Sequence, residues 1–357
     1  MTNLKLPDLR LSVLDQSPAV IGAPQDRAIR DTIEIAQHCE TLGYERFWVS
    51  EHHGSESIVG SAPEILIAAI AARTSRIRVG SAGVMLPHYA PLKVAEQFRV
   101  LDAIAPGRID LGLGRAPGGD GRTSWALNPA GDDAVQRFPA NVRDIIAWTS
   151  GKPLTEGHAL ASLKVTPQSA TAPEVFVLGS SDYGAQVAAY LGIPFCFAAF
   201  ISERGAEQAF ELYRRYYQPS ERHPAPQPSV CVFALAAANE AQARFIFATR
   251  ALSRLNRDRG VRLPLLPAQD ALNELRARGE ERRAEQMADD AMIGDGAMVA
   301  QKLRDYARAL GVQEIAILTQ AHDMADRKAS FRLIAEAFEL EGAECPANTF
   351  SRYESAN

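Results

Sequence analysis

Three short runs in the chain carry side chains suited to chemistry. The first is Glu51-His52-His53. An imidazole titrates near neutral pH, so one that faces a pocket can give or take a proton. Adjacent side chains of an extended segment point to opposite faces, so His52 and His53 are poorly placed to share a metal ion, and no metal site is expected. The plainer alternative is one histidine capping its strand and the other solvated. The second run is Ser81-Ala82-Gly83. Three small residues leave room for a flat ring against the backbone, or else mark a bulge. Gly112 and Gly114 raise the same pair of readings on the segment that leads to Arg115. The third run is Gly179-Ser180-Ser181-Asp182. Amides at the start of a helix, with two hydroxyls beside them, form an anion cradle, unless they are only an ordinary N-cap. Arg115 can present its planar fork to a phosphate or carboxylate, or else pair with a neighbouring acid. Cradle and countercharge together suit a monophosphate. GxGxxG after the first apolar run and GxxxxGK[ST] are both missing, so those dinucleotide and triphosphate sites lack support.

The elements that must position these runs alternate regularly. Apolar runs at Leu11–Asp15, Arg46–Glu51, Ile77–Leu86, Arg108–Gly114, Glu174–Leu178, Pro194–Ala199, Val230–Ala236 and Glu314–Leu318 read as strands buried on both faces. Amphipathic helices follow at about 26–42, from Ser61 onward, and at about 91–105, 133–150, 182–191, 203–217, 240–256 and 324–341. Eight strand–helix pairs predict an α/β fold, a closed (β/α)8 TIM barrel whose chemistry lies at the C-terminal ends of the strands; an open doubly wound sheet is the alternative. A single domain over 1–357 is expected, with insertions after strands four and seven. Residues 151–172 suit a small β-hairpin, and the Arg-, Glu- and Asp-rich stretch 257–294 a mobile lid or a solvated excursion.

Composition narrows the function. Lys and Arg number 38 against 43 Asp and Glu, a net charge of −5, so there is no basic field to hold nucleic acid. The N-terminus, Met1 to Leu11, lacks the apolar block of a signal peptide. The longest uncharged apolar run, Ile193 to Ile201, is too short to span a bilayer. Cys39, Cys196, Cys231 and Cys345 show no CxxC spacing, as expected of a protein in a reducing cytoplasm with neither structural zinc nor a disulfide framework.

Taken in order, GYERFWVSEHH (43–53), RIRVGSAGVMLPHYAPLKVAEQFRVLDAIAPGRIDLGLGRAPG (76–118) and VFVLGSSDYGAQVAAYLGIPFCFA (175–198) resemble the bacterial luciferase-like flavin-dependent monooxygenases. The resemblance runs over about residues 9–341, is strongest over 44–118, and is closest to uncharacterised, non-luminescent oxidoreductases of that family. It implies a homodimeric flavoprotein that uses reduced FMN and dioxygen to oxygenate a small organic substrate, with a separate NAD(P)H-dependent reductase supplying the flavin. By position, His52 matches the catalytic histidine and Ala82-Gly83 a non-proline cis peptide behind the flavin ring. Arg115, Gly179, Ser180 and Ser181 match the phosphate site; Glu51, His88, Glu96 and Tyr183 lie near the ring or its side chain by analogy. Light-emitting members carry a cysteine where this chain has Gly114, and their long loop after strand seven is not recognisable in 257–294, so light emission is not implied. Two alternatives remain at this stage: a deazaflavin-dependent hydride-transfer oxidoreductase, against which the −5 charge speaks mildly, and a non-catalytic FMN-binding protein.

Overall fold

The computed structural model describes residues 9–202 and 204–342; residues 1–8 and Cys345 lie outside that range. Eight parallel strands close into a barrel: β1 (Arg10–Asp15), β2 (Arg46–Val49), β3 (Arg78–Met85), β4 (Ile109–Gly114), β5 (Glu174–Gly179), β6 (Phe195–Ala198), β7 (Pro228–Ala236) and β9 (Glu314–Leu318). Pairing of β6 with β7, β7 with β9 and β9 with β1 completes the ring, with Val230 opposite Ile315 and Val13 opposite Ile317. β8 (Met292–Gly294) is a short ninth strand beside the end of β7. Helices α1 (Gln25–Thr41), α2 (Pro63–Ala71) and α3 (Pro91–Ile104) cover the first strands. Three helices follow β4: α4 (Gly121–Leu127), α5 (Gly131–Gln136) and α6 (Phe138–Ser150). Then come α7 (Asp182–Leu191), α8 (Ala206–Tyr216), α9 (Glu240–Asp258), α10 (Ala268–Ala277), α11 (Glu281–Asp290), α12 (Gly296–Leu310) and α13 (Met324–Ala337). The barrel is the TIM-like architecture expected from the alternating runs.

The structure departs from the expectations at three places. The helix expected over 133–150 is two helices, because Pro139 lacks an N–H and takes the first turn of a new helix rather than the middle of a long one. Residues 151–172 form turns and no hairpin. Their carbonyls are met by a side chain instead of a partner strand: buried Arg99 donates to Pro167 O at 2.9 Å and Thr171 O at 2.7 Å, and Asp102 accepts from Thr171 Oγ1 at 2.7 Å. The third departure concerns the helix after strand seven. α9 does not take the outer-layer place that follows β7; α12 does, lying against α13, β7 and β9. α9, α10 and α11 instead share a separate apolar cluster that includes Phe247, Leu255 and Leu275. The stretch 257–294 contains α10, α11 and β8 with the loops that join them.

Inside the N-terminal half of the barrel lies a layer of charge. Arg46 donates to Asp110 at 2.9 Å and to Glu314 at 2.8 Å, Arg78 reaches Asp110 at 2.6 Å, and Ser12 donates to Glu314 at 2.7 Å. Arg46 also stacks over Phe176, its guanidinium carbon 5.2 Å from the ring centre. Buried charges persist only where each is paired and hydrogen-bonded, and this network meets that condition. Above it Trp48 donates Nε1–H to Asp110 at 2.9 Å, which fixes the indole as the layer beneath the barrel mouth.

Candidate active site

At the C-terminal ends of the strands a cavity of about 250 Å³ opens above Trp48. Its floor and sides come from inward residues of five strands: Leu14, Trp48, Leu178, Cys196 and Cys231 among them. One wall is built by Ala82, Gly83 and Gly114. Here β3 and β4 slip register between Ser81 and Val84, and the Ala82–Gly83 peptide is cis. Ser81 bridges the slip, its hydroxyl donating to Gly112 O at 2.9 Å and accepting from Gly112 N at 3.1 Å. A Cβ on Gly112 would collide with the Ser81 carbonyl, and one on Gly83 would sit 2.7 Å from Gly112 O. The two glycines are what allow the strands this close. Ala82, Gly83 and Gly114 contribute nothing larger than a methyl group to this wall, and the thioether of Met85 borders it beside Gly114.

The opposite end is polar. Gly179, Ser180 and Ser181 lead into α7, whose N-cap makes no side-chain hydrogen bond to the first-turn amides. Those amides, with the positive end of the helix dipole behind them, are a ready anion site. Exposed Arg115 lies at the same end with its guanidinium carbon 3.9 Å from the Tyr183 ring centre, and among the described residues no carboxylate pairs with it. The arrangement fits a group with a flat body and one phosphate: a smooth wall for the first, uncapped amides, two hydroxyls and a guanidinium for the second.

The residues singled out in the sequence thus separate into three groups. Ala82, Gly83, Arg115, Gly179, Ser180, Ser181 and Tyr183 line the cavity together. Ser81, Glu51 and His88 stand behind its wall. Glu51, fully buried, accepts from Met85 N at 2.9 Å, Tyr89 Oη at 2.8 Å and His53 Nε2 at 2.7 Å. These bonds hold the end of β3, while His88 Nε2 meets Pro117 O at 2.6 Å and holds the segment after Arg115. Glu96 lies on α3, within 3.4 Å of Lys93 and away from the cavity lining. His52 does not line the cavity either. Its Nδ1 is 3.1 Å from Ser50 Oγ and its backbone N–H donates to Gly60 O at 2.9 Å, which places the ring on the rim beyond β2. Sequence reasoning missed Trp48, Cys196, Cys231 and Phe138 as lining residues. Each stands in or beside other apolar residues, so no polar–apolar alternation marks which one turns inward.

Burial pushes His52 down to about 4, and the positive charge of Arg262 adds to the effect. Between about pH 6.5 and pH 4 the unfolded chain therefore binds a proton at His52 that the folded chain does not. Stability falls as pH falls through that window, by up to about 3 kcal/mol from this residue. Comparing urea midpoints at pH 7 and pH 4.5 for the parent and His52→Asn tests it: the variant should show the shallower loss. Equal losses would mean that His52 is not held neutral.

A segment on the far rim ties the mouth together. Ala19 N donates to Ser57 O and Val59 N to Ser17 O; Ile21 N donates to Leu265 O and Leu265 N to Ala19 O. Residues 57–59, 17–21 and 264–266 thereby form a small ribbon over one side of the barrel.

Comparison with known proteins agrees with this architecture. A family pattern described as luciferase-like monooxygenase matches residues 10–314. The uncharacterised protein YwcH of Bacillus subtilis (strain 168) is 41% identical over 329 residues, covering 92% of this chain and 98% of that protein. N-acetyl-S-alkylcysteine monooxygenase of the same organism is 40% identical over 243 residues, covering 67% of this chain and 71% of that protein. Among solved structures, apo-MsnO8 superposes with a TM-score of 0.85 at 36% identity, covering 95% of this chain and 100% of that chain. With the pattern and such relatives spanning most of its length, the chain belongs to the luciferase-like monooxygenase family.

Proposed function

We propose that the chain is an FMN-dependent monooxygenase that receives reduced flavin from a separate reductase and oxygenates a small organic substrate with dioxygen. The observation that carries this reading is the cavity itself, with a side-chain-poor wall at one end and an uncapped helix N-terminus with Ser180, Ser181 and Arg115 at the other. Bound reduced FMN supplies the electrons that activate dioxygen. In this reading Gly179, Ser180, Ser181 and Arg115 bind the phosphate, and Ala82, Gly83 and Gly114 orient the ring through close backbone contact. Trp48, Leu178 and Leu14 exclude water from beneath it, which strengthens every polar interaction within. Tyr183 keeps Arg115 turned toward the cavity by stacking. His52, held neutral on the rim, is assigned to proton handling; its Nε2 makes no hydrogen bond among the described residues. The absence of a second nucleotide motif in the sequence is the reason for assigning the reductase to another protein.

Reduced FMN, ¹⁸O-labelled dioxygen and a panel of small ketones, alkanes and thioethers test the reading; the name of one relative is the reason for including S-alkyl compounds. Label is expected in an organic product. FMN binding with no label in any product would overturn the oxygenation, and tight binding of a deazaflavin in place of FMN would move the chain to hydride transfer. A His52→Ala chain should keep its FMN affinity within about twofold and lose about a hundredfold in turnover. Lost FMN affinity would instead make His52 a structural residue.

A further inference from the structure

A second cavity, of about 340 Å³, lies between α9, α11 and the rim formed by β6 and β7. It is larger than the first. Phe233, Phe247, Met287 and Met292 supply most of its apolar wall, and Tyr306 of α12 closes its outer side. On the barrel side the wall is fixed. Arg250, buried, stacks on Phe233 with its guanidinium carbon 5.1 Å from the ring centre and donates to Gln320 Oε1. Gln320 in turn donates to Gln16 Oε1 at 3.0 Å, so the ends of β1 and β9 brace the same surface. On the α11 side the wall is adaptable, because thioether side chains repack around ligands of different shape. Exposed Asp290 marks where this side meets solvent.

One residue lines both cavities: Phe200. Its backbone N–H donates to Cys231 O at 3.2 Å, which prolongs the β6–β7 pairing and fixes Phe200 at the border of the two cavities. We propose that this second cavity is a compartment for the apolar end of an organic substrate, whose reacting end passes Phe200 into the first cavity. The proposal rests on the flavin reading of the first cavity only for the identity of the reacting end. Its ligand class is a small molecule with an extended alkyl or aryl portion.

The test separates the two readings. FMN affinity is measured first, by flavin fluorescence. FMN-saturated protein is then titrated calorimetrically with methyl n-alkyl sulfides from butyl to decyl. Burial of each added methylene is expected to tighten binding about fourfold until the compartment is full. Met287→Trp, which fills the space from α11, should flatten the series for the longer members while leaving FMN affinity and the shortest sulfide unchanged. Ala291→Leu, a smaller intrusion on the same wall, provides the same readout if the tryptophan variant does not fold. Binding that does not depend on chain length in the parent protein overturns the proposal, as does a series unchanged in both variants. A length series that persists in a protein without FMN affinity supports the compartment and removes the flavin reading instead.

Discussion

An Arg115→Ala chain should bind FMN about tenfold to a hundredfold more weakly than the parent while binding riboflavin nearly as well. A hydrogen bond between a guanidinium and a phosphate contributes about 1.5–3 kcal/mol, and the exposure of Arg115 places the effect toward the lower part of that range. Riboflavin has the ring but no phosphate, so the difference between the two ligands isolates the charge. The gap between parent and variant should narrow as salt is added, because an exposed charge pair is screened. Fluorescence titrations measure the four affinities at each of two ionic strengths. An equal loss for both ligands would mean that Arg115 acts through its packing on Tyr183 and not through its charge.

The second large effect concerns stability. Arg46→Ala leaves Asp110 and Glu314 buried, with a cavity where the guanidinium stood between them. Removing one member of a buried, hydrogen-bonded charge network costs about 3–5 kcal/mol, and the urea midpoint should fall accordingly. Arg78 and Arg10 still reach Asp110 and Glu314 from more exposed positions, so part of the charge remains compensated. Trp48 provides a second readout. Its indole donates to Asp110, so its emission should shift before global unfolding as the layer loosens. A midpoint within about 1 kcal/mol of the parent would mean that water relieves the two carboxylates.

Much of the barrel was legible because strands buried on both faces must be runs of apolar residues, and eight such runs stand between amphipathic helices. The same property hid the floor of the cavity. Phe47, Trp48 and Val49 are all apolar, and nothing in their order says that the indole lines the pocket. The outer helix α12 was overlooked although Val299, Ala300, Leu303, Ala307 and Leu310 carry a helical period and Asp295 caps it, accepting from Met298 N at 2.9 Å. The longer α9, also amphipathic, stands first after β7 and takes that place in the sequence pattern. Its apolar face is real, but it is buried against α10 and α11, a choice among partners that periodicity does not encode. At the mouth, the small residues of β3 and the glycine–serine start of α7 stood out by type. His52 stood out by type as well, and only the tertiary path of residues 50–60 places it off the cavity surface.

The ribbon across residues 17–21, 57–59 and 264–266 bears on traffic through the barrel. Parting it breaks four backbone hydrogen bonds together. The rim that carries exposed Arg115, Ser181 and Ile201 is tied by separate single bonds instead: His53 N donates to Gly118 O at 3.0 Å and Phe200 N to Cys231 O at 3.2 Å. Opening the mouth on that side gives up isolated bonds one at a time, whereas the ribbon must yield as a unit.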